Sequence, residues 1–266
     1  MRNTREQGRR IFAPIRLTFP DVTKLKTTIL ATSMEMVSSG ACESSESSVR
    51  TLVTNLYKDG LGDAATLPGF RDDLAAYMAK SPLQEESWHQ SRMLEEFQVY
   101  RACIRKTTDM SRDSLRDLIM DIHTRSNIGG TRFRVGSVQI KPDNNNSVTI
   151  FPPAKEIEYI LINLFKFIED NISTKNALCA AVGYVGIVHA HPFSDGNGRT
   201  ARVFYNVLQA YSGSRHFISI RFLDSLSKGA LTIKLRRAYL TGEWSSILEF
   251  FRDAAIVSDA QQRITG

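Results

Sequence analysis

Cysteine is scarce in this chain of 266 residues: Cys42, Cys103 and Cys179 make an odd set of three with no C-x-x-C pair among them. That excludes a disulfide scaffold and a cysteine-based structural zinc, and it fits thiols kept reduced in a cytoplasm. Long apolar runs free of charge are also missing, so no segment is suited to cross a bilayer and no membrane partner is expected. The N-terminus lacks the apolar core of a secretory signal, which points to a cytoplasm, the cell's own or that of a host reached by a nonclassical route. There is no G-x-x-x-x-G-K-[ST] run, which excludes a P-loop phosphotransferase. What remains is ordinary for a globular fold. With 42% apolar and 23% charged residues, the length allows one sizeable core and a smaller N-terminal part.

The formal charge of +6 is unevenly placed. Residues 1–26 hold seven Lys or Arg against two Asp or Glu, so nearly all of the excess belongs to a basic arm. Such an arm could touch an acidic surface, but the expectation is a solvated terminus. Nothing later in the chain has the look of a nucleic-acid module, so nucleic acid is not an expected partner.

One stretch reads as an active site. His191-Pro192-Phe193-Ser194-Asp195-Gly196-Asn197-Gly198-Arg199-Thr200-Ala201-Arg202 packs a titratable base, a carboxylate, two glycines and two arginines into twelve residues. Residues 173–190, apolar on most faces and rich in Ala and Gly, predict a central helix closely packed by others, with His191 at its end. After Gly-Asn-Gly a second helical pattern runs from Arg199 to Tyr211. The glycine amides should therefore point out of a helix N-terminus, where orphan N–H groups and the dipole favour an anion. Arg199 and Arg202, three apart on one helix, can both reach further phosphates. Asp195 supplies the hard oxygen that Mg²⁺ prefers, and His191 can take the proton of an attacking hydroxyl.

The run H-P-F-x-x-G-N-G-R-x-x-R resembles the signature of the Fic family, which moves AMP from ATP onto protein hydroxyls. The resemblance implies that His191 is the general base and that Asp195 holds the metal on the phosphates. It further implies that the backbone of Gly196, Asn197 and Gly198, with the Asn197 side chain, cradles the phosphates, and that Arg199 and Arg202 take the β- and γ-phosphates. Phe193 is implied to be a buried anchor of the loop. Asn206, seven residues past Arg199, matches a frequent family asparagine near the nucleotide. EFQVYRACI and SRDSLRDLIMDIH, within residues 96–123, resemble the family's opening helix pair, and Gly130-Thr131-Arg132-Phe133-Arg134 resembles its entry to the flap. Residues 131–140 and 147–151 are β-prone around Asp143-Asn144-Asn145-Asn146, which predicts a hairpin. In the family this flap aligns a target segment by strand pairing. The helix that follows shows Ile157, Ile160, Leu161, Leu164, Phe165 and Ile168 as one stripe. Gly242-Glu243-Trp244 to Phe250-Phe251 resembles the closing helix, but the family's usual aromatic lies farther before that glycine than Tyr239 does, so adenine contacts are not assigned.

The expected architecture is all-α, a Fic-type helical bundle with a β-hairpin flap. A basic arm spans 1–26, an N-terminal helical region 27–89, the Fic core 90–255 and a tail 256–266. Many Fic proteins also carry [S/T]-x-x-x-E-[G/N], whose glutamate pairs with the second motif arginine. Ser39 and Glu43 fit that spacing, with Ser44 in place of Gly or Asn. Glu43 paired with Arg202 would put a carboxylate where the γ-phosphate should lie, and the alternative is a serine-rich loop. His189 is read as packing and His123 as closing a helix. The expected function is Mg²⁺-dependent AMP transfer from ATP to a Ser, Thr or Tyr hydroxyl of a target protein. The rivals are removal of AMP, transfer of another phosphate-containing group, and a non-enzymatic adaptor; Gly198, where the phosphorylating relatives have Lys, argues against a changed donor.

Overall fold

Helices account for most of the described chain, as the pattern predicts. The computed structural model describes residues 9–25, 88–105, 109–126, 132–140, 147–211, 217–226 and 230–265; Ser39 and Glu43 lie outside them. In chain order the elements are β1 (Arg9–Phe12), α1 (Trp88–Ile104), α2 (Arg112–Arg125), β2 (Ser147–Ile150), α3 (Ile157–Asn171), α4 (Asn176–Ala190), α5 (Asn197–Ala210), α6 (Ile220–Leu226), α7 (Ala230–Arg236) and α8 (Ser245–Thr265). A π-helical turn, Arg237–Thr241, precedes α8.

Helix α4 is the axis of the bundle, and its composition explains why. It has no charged side chain, and nearly every residue from Leu178 to Ala190 is buried, so neighbours can cover it on all sides. Small residues let them come close. A Cβ at Gly183 would stand 2.8 Å from Leu208 and 2.9 Å from Phe204 of α5, and one at Gly186 would stand 2.5 Å from Leu164 of α3. The two glycines thus seat α5 and α3 on α4. The α3 stripe of Ile157, Ile160, Leu161, Leu164, Phe165 and Ile168 is buried as expected. Helix α8 closes the core with Ile247, Leu248, Phe250, Phe251, Ala254 and Val257, and it runs on through the segment expected to be a tail. Cys103 and Cys179 are buried and form no disulfide, and burial pushes the Cys179 thiol up to about 12.

Of the hairpin expected over 131–140 and 147–151, only β2 is a strand among the described residues, and 132–140 meets it at a single bridge, while β1, a strand the sequence did not suggest, pairs with β2 instead. An antiparallel bridge joins Gln139 to Ile150, with Ile140 N–H donating to Thr149 O (2.9 Å) and Phe151 N–H to Val138 O (3.3 Å). On its other edge β2 pairs in parallel with β1, Arg9 opposite Ser147 through Phe12 opposite Ile150. The basic arm is therefore not a solvated terminus from residue 9 onward. Ala13 and Leu17 join the core, the Trp244 Nε1–H donates to Thr18 O (2.9 Å), and Phe19 stacks on Phe167 at 4.9 Å. Burying these apolar groups and pairing the strand outweigh the pull of water on its charges.

Candidate active site

His191 ends α4 in the left-handed conformation, φ 48° and ψ 55°, while its N–H still donates to Ile187 O (3.0 Å). A helix that turns this way normally uses Gly or Asn, because a Cβ costs about 1 kcal/mol or more there. Histidine at such a corner is a strained choice that the surrounding contacts must hold in place. The imidazole stacks on Phe151 of the flap at 3.8 Å, and its Nδ1 lies 3.4 Å from Val188 O. Burial pushes the ring down to about 4, so it is neutral at pH 7. With Nδ1–H donating to that carbonyl, Nε2 carries the lone pair that a base needs.

The loop after His191 is braced from both sides. Phe193 is buried and stacks on His123 at 3.7 Å, nearly parallel. His123 Nε2 lies 3.1 Å from Asp195 O, and burial holds the ring below its ordinary pKa, so the neutral imidazole donates to that carbonyl. His123 stands in the last turn of α2, as read, but it also supports the loop. The Asn197 side chain makes a two-bond clasp on Phe193, its Oδ1 accepting from Phe193 N–H and its Nδ2 donating to Phe193 O, both 2.8 Å. The Asn197 side chain is thus a brace of the loop.

Gly196 takes φ 79°, a conformation that turns the chain into α5 and that a side chain would strain. No side chain caps α5, so the first-turn N–H groups of Asn197, Gly198 and Arg199 remain for an anion. Asp195 is exposed beside them; one of its oxygens accepts from Gly196 N–H at 2.6 Å. Among the described residues no three His, Cys, Asp or Glu side chains converge on a metal. A cation here would take one carboxylate oxygen and fill its shell with phosphate and water, which suits Mg²⁺.

The arginines are not free hands. Arg199 Nη1 donates to Ser126 O (3.0 Å) and lies 3.9 Å from Glu95. It borders a cavity of about 610 Å³ that Arg92, Gln98 and Arg125 also line. Arg202 is more firmly held. Its Nη2 donates to Glu96 Oε1 (2.6 Å) and its Nε reaches both Glu96 oxygens (3.1 Å each), with only 2% of the Glu96 side chain exposed. Burial works against the guanidinium charge, and the Glu96 carboxylate more than offsets it, so the Arg202 pKa is raised. The described partner of Arg202 is thus Glu96 of α1, a residue the sequence reading did not single out. One signal was present: Glu96 occupies the buried face of α1 with Met93, Val99, Tyr100 and Cys103.

Asn206 is buried, and its amide is fully engaged. Nδ2 donates to Arg202 O (2.9 Å) and Ile218 O (3.1 Å), and Oδ1 accepts from Ile218 N–H (2.7 Å). It pins the segment before α6 onto α5. His189 is completely buried near Tyr239 at 5.7 Å, as its packing reading expected.

Residues 113–209 match the sequence model of the Fic/DOC family. A protein adenylyltransferase Fic from Aedes aegypti is 34% identical to this chain in a match covering 38% of this chain and 20% of that relative. The chain therefore spans about one fifth of the length of the curated relative it matches. The fold is similar to that of a Fic family protein from Desulfovibrio desulfuricans G20, with a TM-score of 0.53 at 16% identity, covering 91% of this chain and 75% of that one.

Proposed function

We propose that this chain, which matches the Fic/DOC family model over residues 113–209, is a protein adenylyltransferase that moves AMP from ATP to a Ser, Thr or Tyr hydroxyl of a target protein. The observation that supports this most is the pairing of His191, a neutral imidazole in a left-handed corner, with the uncapped N-terminus of α5, which begins at Asn197. One supplies a base and the other an anion seat.

In the proposed reaction His191 Nε2 accepts the hydroxyl proton as that oxygen bonds to the α-phosphorus. The bond from the α-phosphorus to the bridging oxygen breaks, and pyrophosphate leaves with the electron pair. The N–H groups of Asn197, Gly198 and Arg199 hold phosphate oxygens, and Arg199 adds a charged contact. Asp195 would hold Mg²⁺, which when bound neutralises charge on the phosphates. The target segment would lie along the flap, whose β2 strand ends at the ring that stacks on His191.

Control is proposed to act on Arg202. Glu43 would inhibit through this arginine, yet Glu96 already holds it in the described structure. Glu43 and a γ-phosphate would thus both draw on an arginine that Glu96 already engages through Nε and Nη2. Incubating the purified protein with ATP and Mg²⁺, with mass spectrometry of its own hydroxyl residues, tests the transfer. An AMP adduct that depends on His191 supports the reading, and a phosphate adduct would replace it with kinase chemistry.

A further inference from the structure

Arg134, at the entry to the flap, is buried with 5% of its surface exposed, and no carboxylate partners it in the described hydrogen bonds and ion pairs. Its donors meet main-chain carbonyls instead. Nε donates to His191 O (2.7 Å), Nη1 to Gly136 O (2.6 Å), and Nη2 to Pro152 O (2.6 Å) and more distantly to Ala190 O (3.5 Å). Its own backbone N–H donates to Pro192 O (2.8 Å). Three segments meet at this one side chain: the start of the flap at Gly136, its end at Pro152, and the corner that carries His191.

The choice of acceptors has a physical reason. The last carbonyls of α4 have no intrahelical donor and sit at the negative end of the helix dipole, where a cation is favoured. A planar guanidinium presents its donors in a fixed fork, which a lysine ammonium cannot copy. Burial lowers the Arg134 pKa from its ordinary value, yet a guanidinium stays charged throughout the working range.

We propose that Arg134 is a positioning residue: by holding the His191 carbonyl and both feet of the flap at once, it sets the distance between a hydroxyl lying on the flap and the His191 imidazole. Phe151, next to Pro152, stacks on that imidazole, so a shift of the flap feet moves the ring with it. The inference rests on the transfer reading of His191 and the flap. Arg134 touches no reacting atom.

The test uses Arg134→Lys and Arg134→Met in the full chain, with self-modification by ATP and Mg²⁺ as the turnover assay. A misplacement of about 1 Å costs on the order of a hundredfold in rate, so kcat should fall about that far in the Met variant. The dissociation constant for ATP should stay within about twofold, since the α5 seat shares no partner with Arg134. Hydrogen exchange at the Ile140 and Phe151 amides, which close the flap, should speed up in both variants. If Arg134→Met does not fold, Arg134→Lys decides, because it keeps the charge and most of the volume. Full turnover in the Lys variant overturns the proposal. So does lost turnover with flap exchange unchanged, or a loss matched by equal loss of ATP affinity. If the wild type transfers nothing, the transfer reading fails, while flap exchange in the variants still reports whether the clamp exists.

Discussion

Replacing Glu96 by Gln keeps the shape of the side chain and removes its charge from Arg202. With 2% of Glu96 and 12% of Arg202 exposed, solvent screens the pair little. Removing one partner of a buried ion pair costs about 3–5 kcal/mol, and because the Gln oxygen can still accept a hydrogen bond, about 3 kcal/mol is expected. For a chain of this size that lowers the melting temperature by roughly 6–12 °C. The same substitution frees Arg202 for a phosphate. A charge-assisted hydrogen bond is worth about 1.5–3 kcal/mol, so ATP should bind roughly ten- to a hundredfold more tightly. Calorimetric titration with ATP and Mg²⁺, and melting with and without ATP, measure both effects on one protein. The variant should therefore melt lower alone and gain more from ATP than the wild type does. A variant that melts lower but binds ATP no better would show that Glu96 does not compete with the nucleotide. Unchanged melting would show that the ion pair contributes nothing to the fold.

His191→Ala should abolish self-modification while ATP affinity stays within about twofold, because the imidazole serves the hydroxyl proton and not the phosphates. Asp195→Ala should abolish both activity and the dependence of ATP binding on Mg²⁺, read by titration with and without the metal. Burial lowers the His191 pKa to about 4, which favours the neutral base. The transfer rate should accordingly hold as pH falls from 7 and drop only near 4; a limb near 6.5 in the pH–rate profile would remove the buried base. His189 is likewise pushed down to about 4 by burial, so the native state binds fewer protons than the unfolded chain between about 6.5 and 4. Stability supplied by the neutral ring is present above 6.5 and lost as pH falls through that window, and His189→Leu should flatten this acid limb in pH-resolved denaturant titrations. Glu43→Gly should raise labelled-ATP incorporation roughly ten- to a hundredfold if Glu43 can take Arg202, and equal incorporation would make that segment a serine-rich loop.

Local patterns were legible because they are written in neighbouring residues. The apolar spacing of α3, the uncharged Ala and Gly face of α4, the helix break at His191 and the glycine start of α5 each follow from residues a few positions apart. Pairing across long stretches was not legible. The four residues of β1 hold two arginines and carry no turn linking them to β2, so only the folded chain shows the parallel ladder. The carbonyl set around Arg134 was hidden for the same reason, since backbone acceptors carry no residue identity. The engaged amides of Asn197 and Asn206 show a different limit: an asparagine beside a phosphate seat can serve the anion or the loop, and the spacing is the same for both.

Glu96 and His123 share a feature that does speak from the sequence. Each occupies the buried face of its helix, Glu96 with Met93 and Tyr100 in α1, His123 with Leu115 and Ile119 in α2. A charged or polar group placed there loses its water and must recover that cost from a partner across the interface. In this chain both partners lie in the His191–Arg202 segment, Arg202 for Glu96 and the Asp195 carbonyl for His123. Helices α1 and α2 therefore not only cover α5 but hold the segment's loop and its second arginine in place. That is why a charge change at Glu96, on the opening helix and outside the signature, is expected to be felt at the nucleotide.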